Sequence, residues 1–270
     1  MTAMTTAELG PGRATAGTAA MSEWIKMRTL RSTWWTLFAM LVIVVGLGTL
    51  FAAVHAHRYN QGNFDFELLR DPTQVSLRGI YLGQLAIGVL GVLSITGEYA
   101  TGMIRASLSA LPHRWQVLAA KAAIIAALTF TVSEIASFAA FALGQTALAS
   151  THVQASFSTH GALRACFGAG VYLTIIGLLG VGLGFVLRST AGGIATLVGV
   201  VLILPLLAQA LPSPYSTDIT KYLPLSAGSQ IIATRLDSNS LSPWVGIAVA
   251  AGYAAAALAA GLYVLRRRDA

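Results

Sequence analysis

The sequence predicts an all-α integral membrane protein: six membrane-crossing helices, both termini on the cytoplasmic side, and a short cytoplasmic amphipathic helix between the second and third crossings. Three observations lead there. Hydrophobic residues make up 56% of the 270 residues and charged residues only 10%, against roughly 25% charged in an average soluble domain, too few to cover a water-facing surface. Six apolar stretches are each long enough to cross about 30 Å of hydrocarbon. The 17 Lys and Arg are also spread unevenly over the connections, which encodes an orientation.

Residues 1–20 are mostly Thr, Ala and Gly, lack periodicity and read as a disordered cytoplasmic tail; residues 21–270 read as a single six-helix membrane domain. Ser22 reads as a helix N-cap with Glu23 in the first turn, where the helix dipole favours an anion. The stretch SEWIKMRTLRSTWW interleaves basic and aromatic residues. Trp24, Met27, Leu30 and Trp34 share one helical face, but Glu23 and Arg31 fall on it too. An interfacial helix along the inner leaflet, with Trp24, Lys26, Arg28 and Arg31 as its anchors, is preferred to a plain extension of the first span. The spans follow near 33–54, 79–96, 118–149, 165–187, 191–211 and 244–265. The third is over-long for a bilayer and must tilt, kink or project. A signal peptide cut near Val54-His55-Ala56 is set aside, because the apolar stretch before it is too long and five more follow.

With the N-terminus inside, the inner segments hold eleven Lys and Arg (Arg13, Lys26, Arg28, Arg31, Arg105, Arg114, Lys121, Arg188 and 266–268) and the outer segments six. That imbalance, with the RRR run after the last span, places both termini in the cytoplasm. The net charge of +7 therefore reads as topology rather than as nucleic-acid binding.

Catalytic chemistry finds no support. A phosphate-binding loop needs Gly-Lys followed by Ser or Thr, and none of the three lysines, Lys26, Lys121 and Lys221, follows a glycine. There is no G-x-S-x-G turn and no H-E-x-x-H pair. The lone Cys166 builds neither an intrachain disulfide nor a cysteine zinc site. His55 and His57 lack a nearby third ligand, so no metal and no bound cofactor are expected.

The stretch GEYATGMIRASLSALPHR, residues 97–114, interrupts two apolar runs. As a helix, Ile104, Leu108 and Leu111 form an apolar stripe and Thr101, Arg105 and Ser109 a polar one, with Pro112 as terminator. A surface loop that merely anchors the hairpin and a docking element for a soluble partner both fit this pattern. The string Glu98-Tyr99-x-Thr101-Gly102-x-Ile104-Arg105, followed by Leu108, Pro112-x-Arg114 and Lys121, resembles the cytoplasmic segment after the second span of type-2 ABC (ATP-binding cassette) exporter permeases, most closely actinobacterial-style members that carry only the membrane domain. LRSTAGGI around Arg188 and KYLPLSAG from Lys221 sit where such permeases have similar stretches.

The resemblance implies an exporter subunit of a bacterial plasma membrane that pairs with a second permease, identical or not, and with two ATPase subunits. ATP and Mg would then be bound by the partner. It further implies a coupling helix in which Glu98, Arg105 and Arg114 make polar contacts to the ATPase, Gly102 permits the turn and Pro112 ends the helix, with Tyr99, Thr101 and Ile104 in the same motif.

Glu134 stands alone in the third span, where an ionised carboxylate costs roughly 2.5–3.5 kcal/mol on insertion scales. A substrate- or proton-contacting role and a hydrogen-bonded structural glutamate both remain open, and a proton-coupled secondary transporter built on Glu134 is the alternative function. Gly180 and Gly184 at G-x-x-x-G spacing read as close helix packing, with a dimer seam as a further option. Segment 226–236, after Pro224, is expected from the resemblance to be a short helix dipping back into the membrane. Drug, lipid, peptide and ion all remain open as substrates.

Overall fold

The computed structural model describes residues 16–62, 70–104, 114–213, 215–235 and 239–268. Helix α1 (Ala16–Thr29) precedes α2 (Arg31–Asn60), and a short α3 (Pro72–Leu77) leads into α4 (Ile80–Thr101). Then come α5 (Arg114–Ala147) and α6 (Ala162–Leu187). The fifth crossing is composite: α7 (Thr190–Val198), a π turn (Gly199–Ile203) and α8 (Leu204–Gln209). Two short helices, α9 (Tyr215–Thr220) and α10 (Pro224–Ser229), precede α11 (Pro243–Arg268). Six stretches are long and apolar enough to cross a membrane, and no strand occurs among the described residues.

Two features differ from the sequence expectation. Helix α1 starts at Ala16, inside the stretch read as a tail, so Ser22 lies within the helix rather than at its cap. It is nonetheless a helix separate from α2: Leu30 is extended (φ −76°, ψ 108°) and breaks the backbone ladder between them. Part of the connection after the first span, Pro72–Leu77, folds into the bundle, where Thr73, Val75, Ser76 and Leu77 are buried. The over-long third span is α5, 34 residues or about 51 Å at 1.5 Å per residue, which must project beyond a 30 Å core unless steeply tilted. In the fifth crossing Pro205 has no N–H to donate to the preceding turn, and the widened π turn before it absorbs the mismatch.

Helix α6 is the most buried span. Its seam with α4 is made by glycines: a Cβ on Gly180 would lie 2.2 Å from the Gly88 carbonyl oxygen, and one on Gly91 2.2 Å from that of Gly177. A Cβ on Gly184 would lie 2.9 Å from the Ile95 Cβ. The G-x-x-x-G pair thus serves an intrachain contact, not a free face. Tyr172, fully buried, donates to Gln84 Oε1 across the same seam.

Segment 224–235 runs inside the bundle. A Cβ on Gly228 would meet the Tyr172 ring, Ile231 packs on Gly168, and Thr234 lies beside Gly161. It therefore reaches about 15 Å along α6, measured from Ala162 to Tyr172, before returning outward. Both termini lie at one end of the bundle: Arg114 at the start of α5 donates to the carbonyls of Leu265 and Arg266 (both 3.1 Å), and α1 packs against α5 there. The opposite, far end carries α3, α9 and α10.

Candidate functional site

A lysine or glutamate withdrawn from water keeps its charge only where that charge is paired, and the terminal end of the bundle is built on that requirement. On α1, Glu23 and Met27 are buried and Lys26 is partly so, giving an inward stripe at i, i+3, i+4. Lys121, 1% exposed, lies two turns into α5, and Glu98, 9% exposed, lies in the last turn of α4.

These four side chains form one cluster. Lys121 Nζ donates to Glu23 Oε2 at 2.7 Å and to Glu98 Oε1 at 2.5 Å. Lys26 Nζ donates to Glu23 Oε1 at 2.9 Å and to the same Glu98 Oε1 at 3.1 Å. Two cations and two anions cancel, and three helices distant in sequence are joined. Burial disfavours the Lys26 charge, but the hydrogen bonds and attraction of Glu23 and Glu98 outweigh it and hold its pKa above the ordinary lysine value. Glu98 Oε2 is buried without a hydrogen-bond partner among the described residues.

An apolar cluster of Met27, Ile95, Ile104, Ile125, Phe185 and Leu265 lies beside the charges and lowers the local dielectric, which strengthens them. Helix α4 stops at Gly102, whose φ of +72° is left-handed, a conformation glycine adopts without strain. Thr101 Oγ1 donates back to the Gly97 carbonyl (3.0 Å). The Arg188 guanidinium lies 5.0 Å from the centre of the Tyr99 ring and donates to the Val264 carbonyl at 3.4 Å. With Arg114 it places two cations on the C-terminal carbonyls of α11, where the helix dipole favours positive charge.

Of the residues singled out from sequence, Glu98, Tyr99, Thr101, Gly102, Ile104, Arg114 and Lys26 meet in this one region. Glu98 and Arg114 direct polar atoms into the chain itself, and Ile104 is buried. Thr101 and Gly102 are exposed. Trp24 is 37% exposed, and Arg28 and Arg31 are exposed on the outer side of α1 and the start of α2; the Trp34 indole donates to the Arg28 carbonyl (3.0 Å). Arg105 and Pro112, and with them most of the expected amphipathic helix, lie outside the described residues. Glu134 stands apart, at the α5–α6 seam.

The sequence reading missed the roles of Glu23 and Lys121. A lysine inside an otherwise apolar run was a usable signal, since such a residue needs an anionic partner; which carboxylates it would find was not.

The far end has its own junction. Asp71, 2% exposed, accepts from the backbone N–H of Gln74 (2.9 Å), Thr234 (2.6 Å) and Arg235 (3.3 Å). Arg164 donates to the Ala233 carbonyl (2.7 Å). Gln145 donates to Pro72 O and Ser76 Oγ and accepts from the Ala155 N–H.

A family model described as "ABC-2 family transporter protein" matches residues 18–270, which includes every charged residue of the terminal cluster. No curated protein matches the chain.

Proposed function

The chain belongs to the ABC-2 transporter family, a family of multi-pass membrane transport components, and on that premise we propose that it is the permease subunit of an exporter driven by ATP hydrolysed on a separate ATPase subunit. On this reading the terminal end faces the cytoplasm of a bacterial plasma membrane; the eleven-to-six excess of Lys and Arg supports that orientation. A second permease, identical or different, completes the membrane unit.

The observation that carries the reading is the ion cluster of Glu23, Lys26, Glu98 and Lys121. It fastens α1, the end of α4 and the start of α5 around the connection 102–113, the segment whose motif resembles an ATPase-docking element. The docking surface comprises the exposed edge at Thr101 and Gly102 and the outer side of α1 with Trp24, Arg28 and Arg31; Arg105 and Pro112 belong to it by the sequence motif alone. Glu98 acts one step behind that surface: it holds α1 in place rather than reaching for the partner, and Arg114 does the same for α11. ATP-driven closure of the partner then pushes three helices as one body, and the bundle tilts.

Affinity co-purification of the tagged chain from its own membranes in mild detergent tests this. An ATPase carrying a G-x-x-x-x-G-K-[ST] loop should co-elute, and a cysteine placed at Met103 should cross-link to it. Repeated absence of any ATPase, with export unaffected by ATP depletion, would sink the proposal.

A further inference from the structure

Glu134 is the carboxyl that the bundle leaves unanswered. Both of its oxygens are hidden from solvent, and neither has a hydrogen-bond partner among the described residues. The neighbouring Ser133 hydroxyl is likewise buried and unpartnered. Helix α6 is shaped to receive the carboxyl: a Cβ at Gly170 would stand 2.4 Å from Oε1 and 2.5 Å from Cδ, so only glycine leaves this space without displacing the carboxyl.

Exposed side chains border the hidden carboxyl on the outer side of the seam. Thr131 and Ile135, which flank Glu134 on α5, are exposed, and Phe167, one turn from Gly170 on α6, is 45% exposed. The Phe130 and Phe167 rings meet edge to face across the seam at 5.9 Å. Phe130 is one helical turn from Glu134 on α5, as Phe167 is from Gly170 on α6, so a carboxyl with unused lone pairs lies one turn from an aromatic pair within two candidate spans.

The chemistry that complements this arrangement is narrow. A hydrated metal ion needs several oxygen ligands, and no group of three His, Cys, Asp or Glu occurs among the described residues. An anion is repelled, and a neutral lipid makes no use of the charge. A lipophilic organic cation fits each feature. Its charge pairs with the carboxylate where the low dielectric makes the attraction strong, its positive surface suits aromatic faces, and its apolar groups remain in the hydrocarbon. We propose that Glu134 is the charge-recognising group of a membrane-facing site for lipophilic organic cations between α5 and α6, with Gly170 as its floor and Phe130 and Phe167 as its rim. That such a cation is then exported rests on the function proposed above; the binding step does not.

The test is made on the full chain in phosphatidylcholine nanodiscs, without ATP or any ATPase, so it reads independently of whether a partner is ever found. Tetraphenylphosphonium and the neutral triphenylphosphine oxide are titrated against the unaltered chain and against Glu134→Gln. The phosphonium should bind the unaltered chain about tenfold or more tighter than the oxide. Glu134→Gln should remove that preference and leave oxide binding unchanged. Gly170→Ala, which keeps the charge but fills the floor, should weaken the phosphonium alone. Equal binding of the two probes to the unaltered chain, or phosphonium binding that is indifferent to Glu134→Gln, overturns the proposal. The first of these needs no variant to fold.

Discussion

At the end of the bundle that carries both termini, four ionised side chains hold three helices together through one another, whereas at the far end Asp71 holds two segments through their backbone amides. The two junctions differ in what they permit. Lys26 and Lys121 share Glu98 Oε1, and Glu23 serves both lysines; each member has a second partner, so the loss of one contact leaves every charge paired. The amides of Gln74, Thr234 and Arg235 are fixed in the backbone; moving segment 224–235 away from α3 breaks the Thr234 and Arg235 bonds outright. The terminal end thus tolerates the loss of a single contact, whereas the far end is tied at fixed backbone positions.

The largest expected effect comes from breaking the terminal junction with one change. Lys121→Met leaves Glu23 and Glu98 in a buried site with only Lys26, and should cost about 3–5 kcal/mol, read as a fall in the melting temperature of the detergent-purified chain. Pairing it with Glu98→Leu removes one positive and one negative charge together and should recover most of the loss, while still loosening α1. A double variant as unstable as the single would mean that the charges are not acting as a set.

Next comes the far end. Asp71→Asn replaces an acceptor-only carboxylate with an amide whose NH₂ faces backbone N–H donors, at about 1–3 kcal/mol. Amide hydrogen exchange should rise in residues 224–235 and stay unchanged in α1. Exchange that rises equally at both ends would erase the contrast drawn above. Arg114→Ala should be milder, about 1 kcal/mol or less, and visible as faster exchange in the last turn of α11.

The smallest effect at neutral pH belongs to the Lys26 proton. Its pKa is raised in the folded chain above 10.5, so its contribution is fully present below that value and is lost as pH rises through the folded pKa. Protease sensitivity of α1 should therefore climb only in strongly alkaline buffer, and Lys26→Met should remove that step.

Much of this architecture was legible in the residues, because hydrocarbon imposes a simple rule: a crossing must be long and uncharged. The six spans and the excess length of α5 follow from that rule alone. Legibility fell where a residue's meaning depends on a distant neighbour. Ser22-Glu23 is a sound local helix start, yet the helix continues back to Ala16 and Glu23 belongs to Lys121. The PTQVSL segment looks like loop, and it is buried because Gly48 and Gly144 leave room for the Ser76 backbone and side chain. The spacing of Gly180 and Gly184 announced a close contact without saying that α4 would make it. Of the candidate site, the string from Glu98 to Ile104 ends beside the ion cluster, but nothing in it announces that Glu98 turns inward.

The glycine seam has a consequence for how anything could cross. At Gly88 and Gly180 the two backbones approach so closely that not even a methyl group fits between them, and Gly182 of α6 meets Ala257 of α11 just as closely. A solute has no lumen along these two seams. Along these two seams the subunit offers walls, not a tube; on the function proposed above, a cargo would pass along another face.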